Sequence, residues 1–214
     1  MHAPSLTRLG PDDPQAVVLM LHGGKARGVE PVDERSASWR RSRWMMTHIA
    51  GRANRAGSAV WLLRYGVRGW NAGGRSHPSP VPDARWALDE VRREHGDVPV
   101  VLLGHSMGAR TAVAVADDES VVGVVGLAPW LPPDEPNRSL AGKHLAVAHG
   151  STDKITSARA TRAFVGRAER VAASTEFHDM GPVGHYMLRR ISGWNDFAAS
   201  RSLAFVETAV RSER

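Results

Sequence analysis

The chain of 214 residues contains no cysteine. This absence excludes a disulfide framework, a thiolate nucleophile and cysteine ligands for a metal ion. Histidine does not supply a metal motif in its place, because neither H-E-x-x-H nor H-x-H occurs in the sequence. We therefore predict that the protein has no metal site and needs no cofactor.

Lysine is also scarce, so the formal net charge of +6 comes almost entirely from arginine. The arginines alternate with acidic residues along the predicted helices and form no basic run with interleaved aromatics. This pattern favours a solvated surface, and we predict no nucleic-acid partner. Arg64, Arg68 and Arg75 follow a predicted strand, and we interpret them as part of a solvated loop instead of contacts to an acidic substrate.

Long apolar runs are missing as well. No stretch approaches the roughly 20 consecutive apolar residues that a membrane-spanning helix requires. The N-terminal segment MHAPSLTRLGPDDP lacks the apolar core of a secretory signal. We therefore expect a cytoplasmic protein that makes no membrane contact.

The apolar segments that are present predict an α/β fold. No repeat, low-complexity segment or composition break marks a linker, and we expect a single domain over residues 1–214. Short β-branched runs alternate with stretches of helical period, which predicts a mostly parallel sheet of about six or more strands with helices on both faces. The predicted strands are Ala16–Leu21, Ser58–Leu63, Val98–Leu103, Val121–Leu127, Leu145–His149 and Val171–Phe177. The predicted helices are Trp39–Ala56, Pro82–His95 with Asp83 as a cap, Met107–Ala116, Ser157–Ala168 and one around Leu203, Val206 and Val210.

The segment VVLLGHSMGARTAVAVA places a serine between two glycines, at the point where a strand passes into a helix. Glycines weaken strands and helices, so Gly104 and Gly108 need a reason to be there. A sharp strand-to-helix turn supplies that reason, because flanking side chains would clash across it. Such a turn strains the serine backbone and projects the hydroxyl of Ser106 out of the sheet.

This G-x-S-x-G segment resembles the nucleophile elbow of the α/β-hydrolase family, in which the chain order is serine, then acid, then histidine. Asp153 follows a predicted strand within HGSTD, 47 residues after Ser106. His185 follows the next strand within GPVGH. The resemblance implies a catalytic triad of Ser106, His185 and Asp153. Other residues that could fill these roles are Asp134 and Asp179 for the acid and His178 for the base.

An oxyanion hole is the remaining part of the pattern. The resemblance implies the backbone N–H of Met107, which follows the nucleophile, and the N–H of Gly24, which follows the pair His22-Gly23 after the first predicted strand. His22 and His105 are interpreted as packing and hydrogen-bonding groups. The segment after Val121–Leu127 is too short for a large cap, and we expect Trp130 and Leu131 within it to form one wall of an open substrate site.

These features predict a small, uncapped serine esterase that resembles dienelactone hydrolases. The expected reaction is hydrolysis of an acyl bond, a carboxylic ester in the first place, through an acyl-enzyme intermediate. A small-molecule ester or thioester is the expected partner. Thioesterase or amidase activity with the same triad is the alternative among enzymes, and a non-catalytic ligand-binding protein on a hydrolase scaffold is the alternative from another class.

Overall fold

Seven strands and five α-helices make up the fold in the computed structural model, which describes residues 3–72 and 78–212. The strands are β1 (Ser5–Leu9), β2 (Ala16–Leu21), β3 (Ser58–Arg64), β4 (Val100–His105), β5 (Val121–Leu127), β6 (His144–His149) and β7 (Ser174–Asp179). The helices are α1 (Ala37–Arg55), α2 (Pro80–His95), α3 (Met107–Ala114), α4 (Ala158–Ala168) and α5 (Ile191–Ser212).

All seven strands pair in one sheet in the order β1-β3-β2-β4-β5-β6-β7. Only β1 runs antiparallel to its neighbour, so the sheet is mostly parallel as the sequence predicts. Parallel strands are joined by right-handed crossovers, and the chain changes its direction of travel across the sheet after β3. That reversal places α1 and the helices α2, α3 and α4 on opposite faces, which agrees with the packing of α5 against α1 and of α2 against α3.

The strand order reverses between β2 and β4, which are hydrogen-bonded neighbours. At such a point the connections leave the sheet in opposite directions and open a crevice at the carboxyl ends of the strands. Leu21 at the end of β2 pairs with Gly104 near the end of β4. The loops that follow these two strands therefore begin side by side, and both contain predicted site residues.

The central strands are buried on both faces. Every residue of β2 and of β4 is buried, and their side chains are mainly valine and leucine. β-branched and leucine side chains fit the two-sided packing that helices on both faces of a parallel sheet impose. The burial of these strands gives the site a rigid support.

The structure corrects several predicted boundaries and adds one strand. β1 was missed, because the five residues SLTRL at the sheet edge are only partly buried and carry no apolar run. β4 starts two residues later than predicted and extends to His105, and β7 is Ser174–Asp179 instead of Val171–Phe177. The predicted cap Asp83 is wrong, since its carboxylate accepts a hydrogen bond from the Gly66 N–H while α2 begins at Pro80.

The described residues contain no helix that is both long and apolar enough to cross a bilayer. α5 is the longest helix, and its apolar residues pack against the sheet and α1.

Trp194 tests how far the packing of α5 supports the fold. Its side chain is fully buried, so Trp194→Ala should lower the free energy of unfolding by about 3–5 kcal/mol through lost apolar contact and a cavity. Urea denaturation followed by circular dichroism measures this loss. Trp44→Ala on the exposed side of α1 is the control, with an expected change within about 1 kcal/mol. Equal losses in the two variants would contradict the packing.

Candidate active site

Ser106 occupies a strained turn between β4 and α3. Its backbone has φ of 53° and ψ of −116°, in a region that non-glycine residues rarely adopt. The turn is held because the Ser106 N–H donates to the Leu127 carbonyl and the Ser106 carbonyl accepts from Ala109. The predicted strain is therefore present, and the serine side chain lies at the carboxyl end of the sheet, with 7% of the residue exposed.

The two glycines of the motif allow the backbone to approach other chain segments closely. A Cβ at Gly108 would lie 2.5 Å from the carbonyl carbon of Leu21 and closer still to its oxygen. A Cβ at Gly104 would lie 2.5 Å from the carbonyl carbon of Gly108. Real Cβ contacts are longer than this, so a side chain at either position would force the strands and helix apart.

His185 connects Ser106 to Asp153 through hydrogen bonds. The distance from Ser106 Oγ to His185 Nε2 is 3.0 Å, and the distance from His185 Nδ1 to Asp153 Oδ2 is 2.8 Å. His185 is 6% exposed, so the imidazole is largely shielded from water. With Nδ1–H donating to the carboxylate, Nε2 is free to accept the serine proton. The three residues predicted from the sequence are thus brought together in a linear arrangement.

The other candidates for acid and base lie apart from this arrangement. Asp134, His178 and Asp179 are exposed on the surface. Asp179 Oδ1 accepts a hydrogen bond from the Gly181 N–H, which steadies the chain that leads to His185.

The carboxylate of Asp153 is surrounded by donors. Oδ1 accepts from the backbone N–H groups of Ile155 and Thr156. Oδ2 accepts from the Thr156 hydroxyl at 2.8 Å and from His185, and His149 Nε2 lies 3.2 Å away. Burial acts to raise the pKa of Asp153, but the hydrogen bonds from Thr156, His185 and Ile155 outweigh it and hold that pKa below its ordinary value. Asp153 is therefore ionised at neutral pH.

His149 and Thr156 are parts of the site that the sequence analysis missed. His149 Nδ1 accepts a hydrogen bond from the buried Thr161 hydroxyl, which leaves the Nε2–H directed at Asp153. Burial lowers the pKa of His149, so the ring is neutral. The only signal for His149 in the sequence was its position at the end of the buried strand β6, directly after the apolar run LAVA. A histidine at a strand end often has only a packing role, so this signal is weak.

The predicted oxyanion donors lie on adjoining segments. Met107 is the first residue of α3, so its N–H has no acceptor within the helix. A Cβ at Gly24 would lie 2.6 Å from the Met107 sulfur, which shows how closely the two segments approach.

His22 orients the loop that carries Gly24. His22 Nδ1 donates to the Gly23 carbonyl at 2.6 Å, and its Nε2 accepts from the Tyr65 N–H. Because a trans peptide directs its C=O and N–H to opposite sides, fixing the Gly23 carbonyl also fixes the Gly24 N–H. Burial lowers the pKa of His22 to about 4, so this hydrogen bond is made by a neutral ring at pH 7.

His105 holds the loop that carries the base. Its Nε2 lies 3.1 Å from the backbone carbonyl of His185, and the two rings are 5.0 Å apart. Burial, with a smaller contribution from the nearby His185, lowers the pKa of His105 to about 3. A neutral His105 therefore donates from Nε2 to His185, which is the hydrogen-bonding role that the sequence predicted for it.

The substrate contacts of Trp130 and Leu131 stay a prediction, and in the structure both residues pack within the fold. Trp130 packs against the Arg110 guanidinium at 4.6 Å, Trp70 lies 4.2 Å from the same group, and the two indoles meet edge to face with ring centroids 6.2 Å apart. Arg110 also pairs with the buried Glu135 at 2.6 Å, and Leu131 is buried in the core. The aromatic ring is thus used to hold the loop after β5 against α3, because the cation and both indoles shield one another from water.

An apolar cavity of about 340 Å³ opens beside Ser106 instead. It lies between the Gly23-Gly24 loop, the first turn of α1 and the segment that follows His185. Tyr186 and Leu188 form its mouth and are 61% and 69% exposed. The volume is at the low end for ligand sites, which fits a small substrate.

Within the described ranges no group of three or more histidine or acidic side chains is arranged to hold a metal ion. Arg75, which the sequence analysis assigned to a solvated loop, lies outside the described residues.

The profile of the alpha/beta hydrolase family matches residues 18–209. The chain belongs to this family. No curated protein sequence matches this hydrolase-family member significantly.

Solved structures share the fold of this alpha/beta hydrolase at low sequence identity. An alpha-beta serine hydrolase homologue from Coxiella burnetii is 16% identical, with a TM-score of 0.66 over 92% of this chain and 90% of its own. Est1E from Butyrivibrio proteoclasticus, solved with ferulic acid, is 11% identical, with a TM-score of 0.68 over 95% and 96%. A serine hydrolase without lid from Xanthomonas campestris is 19% identical, with a TM-score of 0.60 over 92% and 88%.

Gly108→Ala tests the close approach at the elbow. The added methyl group would meet the Leu21 carbonyl, so we expect a loss of at least about 2 kcal/mol in the free energy of unfolding. Gly166→Ala in α4 is the matched control, because nothing lies within 4 Å of the added atom. That control should gain about 0.5–1 kcal/mol from helix propensity. Chemical denaturation compares the two, and a neutral Gly108→Ala would refute the close packing.

Thr156→Val tests the donors around Asp153. A folded-state pKa below the ordinary 3.8 means that ionised Asp153 stabilises the fold above that pH, and this stabilisation is lost as pH falls through the lower folded-state value. Removing the hydroxyl should therefore cost about 2 kcal/mol at pH 7 and less near pH 3. Unfolding measured at both pH values checks this. Thr47→Val on the exposed side of α1 should show no such pH dependence, and a pH-independent loss at Thr156 would contradict the assignment.

Proposed function

We propose that this alpha/beta hydrolase is a serine esterase that cleaves carboxylic esters with Ser106 as nucleophile, His185 as general base and Asp153 as the supporting acid. The observation that carries the proposal is the continuous hydrogen-bonded chain from Ser106 Oγ through His185 to Asp153. Membership of the family and the fold shared with serine hydrolases support a hydrolase activity. The described residues form no large cap, and this together with the small cavity supports short or sterically accessible esters.

In the first half of the reaction, Ser106 Oγ attacks the ester carbonyl carbon while His185 Nε2 takes the hydroxyl proton. The imidazolium that forms is stabilised by the ionised Asp153 at Nδ1. When the tetrahedral intermediate collapses, His185 returns that proton to the leaving alkoxide and an acyl-serine remains. Water then attacks the acyl-serine with His185 again as base, which releases the acid and restores Ser106.

The N–H groups of Met107 and Gly24 are the proposed donors to the carbonyl oxygen as it becomes negative. The strained φ of Ser106 and the His22 hydrogen bond fix these two peptides before substrate arrives. Fixed donors need no reorganisation during the reaction, and each contributes on the order of 3 kcal/mol to lowering the barrier.

Thioesters and amides would pass through the same steps, because the nucleophile, base and donors act on the carbonyl and not on the leaving atom. A non-catalytic ligand-binding protein is the weaker alternative to an esterase, because ligand binding does not require hydrogen bonds that activate a serine. The hydrogen bonds that join Ser106 to His185 and His185 to Asp153 support a catalytic function over ligand binding alone.

Labelling with a fluorophosphonate tests the proposal directly, because such a probe reacts with an activated serine and adds a fixed mass to the intact protein. We expect one adduct on the wild type, none on Ser106→Ala and labelling slowed by about 100-fold or more on His185→Ala, since the general base is lost. Time-resolved mass spectrometry of intact protein gives these rates.

Substitutions of the alternative acid and base candidates from the sequence serve as matched controls. His178→Ala, Asp179→Asn and Asp134→Asn should label at the wild-type rate, because these side chains are exposed and lie outside the hydrogen-bonded chain. Failure of the folded wild type to label, or undiminished labelling of Ser106→Ala, would overturn the proposed nucleophile.

A further inference from the structure

One charged side chain in the wall of the cavity has no counter-charge. Arg41 lies in the first half of α1, and the only hydrogen bond of its side chain to the described residues is from Nη2 to the Met187 carbonyl at 3.2 Å. Its Nε and Nη1 are shielded from water and have no hydrogen-bond partner among the described residues, although the guanidinium lies over the Trp44 ring at 4.9 Å. No carboxylate lies within ion-pair distance of it in the described part of the chain, in contrast to Arg110, which pairs with Glu135.

Such a guanidinium is unusual because burying a charge is costly unless it is paired. Most arginines of this protein avoid the cost by staying exposed or by pairing with an acidic residue, as Arg85 does with Asp117. Burial lowers the pKa of Arg41, which reports the same unfavourable surroundings. An anion bound in the cavity would pair with the Arg41 guanidinium and compensate for its lost hydration.

The surroundings of Arg41 also lack negative charge. The lining of the 340 Å³ cavity contains no acidic residue among the described ones, and the first turn of α1 has none either. A second cavity of about 290 Å³ adjoins it across Gly23 and Ala37 and is lined by Lys25, Arg35 and Arg68, again without an acidic lining residue.

Asp33 is the carboxylate nearest to this second cavity that the described contacts show, and it pairs with Arg68 at 3.3 Å. Lys25 and Arg35 have no ion pair among the described residues, but Glu30, Asp33 and Glu34 lie in the same loop, so the loop carries no excess of positive charge.

We propose that the preferred substrates are esters that carry a carboxylate, which Arg41 recognises in the cavity beside Ser106. This proposal rests on the proposed esterase function and names its substrate class. The planar guanidinium matches a carboxylate, and a single cation balances a monoanion better than a dianionic phosphate. The apolar remainder of the cavity accommodates a short hydrocarbon link between the carboxylate and the ester.

Matched ester pairs test the proposal at pH 7.5. For a carboxylate on the acyl side, ethyl hydrogen glutarate is compared with its primary amide, ethyl 5-amino-5-oxopentanoate. For the alcohol side, 4-acetoxybutanoate is compared with 4-acetoxybutanamide. Each pair differs in charge and hardly in size, so the ratio of kcat/KM within a pair isolates recognition of the charge. We expect the anionic member of at least one pair to be favoured about tenfold or more.

The arginine is then tested by substitution. Arg41→Met keeps the length and the apolar stem of the side chain but removes its charge. It should lower the ratio of kcat/KM for the carboxylate ester over its amide at least about fivefold, mainly through a higher KM for the carboxylate ester. Arg41→Lys keeps the charge without the planar fork and should give an intermediate ratio. Arg40→Met, on the exposed side of the same helix, should keep the wild-type ratio. Thermal unfolding of each variant checks that it folds.

The outcomes separate this proposal from the proposed function. Cleavage of the amide esters at rates equal to or above those of both carboxylate esters would overturn the carboxylate proposal and leave the esterase intact. Absence of cleavage together with absence of fluorophosphonate labelling would overturn both. If Arg41→Met does not fold, the wild type and Arg41→Lys provide the test. Recognition by Arg41 is contradicted if the wild type shows no preference for the carboxylate esters. It is also contradicted if the ratio of kcat/KM within each pair is the same in Arg41→Lys as in the wild type.

Discussion

The close approach of Gly108 to the end of β2 is the constraint on which the site depends. Because α3 starts almost in contact with Leu21, the loops after β2 and β4 lie side by side. That contact brings the Gly24 and Met107 peptides to one place and forces Ser106 into its positive φ. The backbone strain is tolerated because buried strands on both sides hold the turn.

Around this turn, the protonation states of the buried acid and histidines suit the proposed chemistry. Asp153 is the ionised group, held by backbone and side-chain donors that outweigh its burial. His22 and His105 are neutral and serve as oriented hydrogen-bonding groups on the two loops. Arg41 is the exception, a half-buried cation with no carboxylate partner among the described residues. The Asp153 carboxylate is thus satisfied by its donors, whereas Nε and Nη1 of Arg41 have no hydrogen-bond partner among the described residues.

Much of the fold could be predicted, because strands such as β2 and β5 are continuous apolar runs bounded by turn residues, and their bounds agree with the prediction. β1 could not, since an edge strand that is only partly buried needs no continuous apolar run. In the site, the pattern around Ser106 pointed to a tight turn. Thr156 and His149 went unnoticed because each acts through Asp153, and the residues that touch one carboxylate need not form any motif along the chain.

The sequence by itself determined the alternation of strands and helices, the elbow at Ser106 and the order of serine, acid and histidine, because each depends on local spacing and on residue types that few other structures tolerate. The tertiary structure decided which acid and which histidine meet Ser106, since the runners-up Asp134, Asp179 and His178 lie exposed on the surface. It also decided that Trp130 braces Arg110 instead of lining the cavity, and that Arg41 from a different element does line it. Distances between segments far apart in the chain depend on how the sheet and helices pack, and no local pattern encodes them.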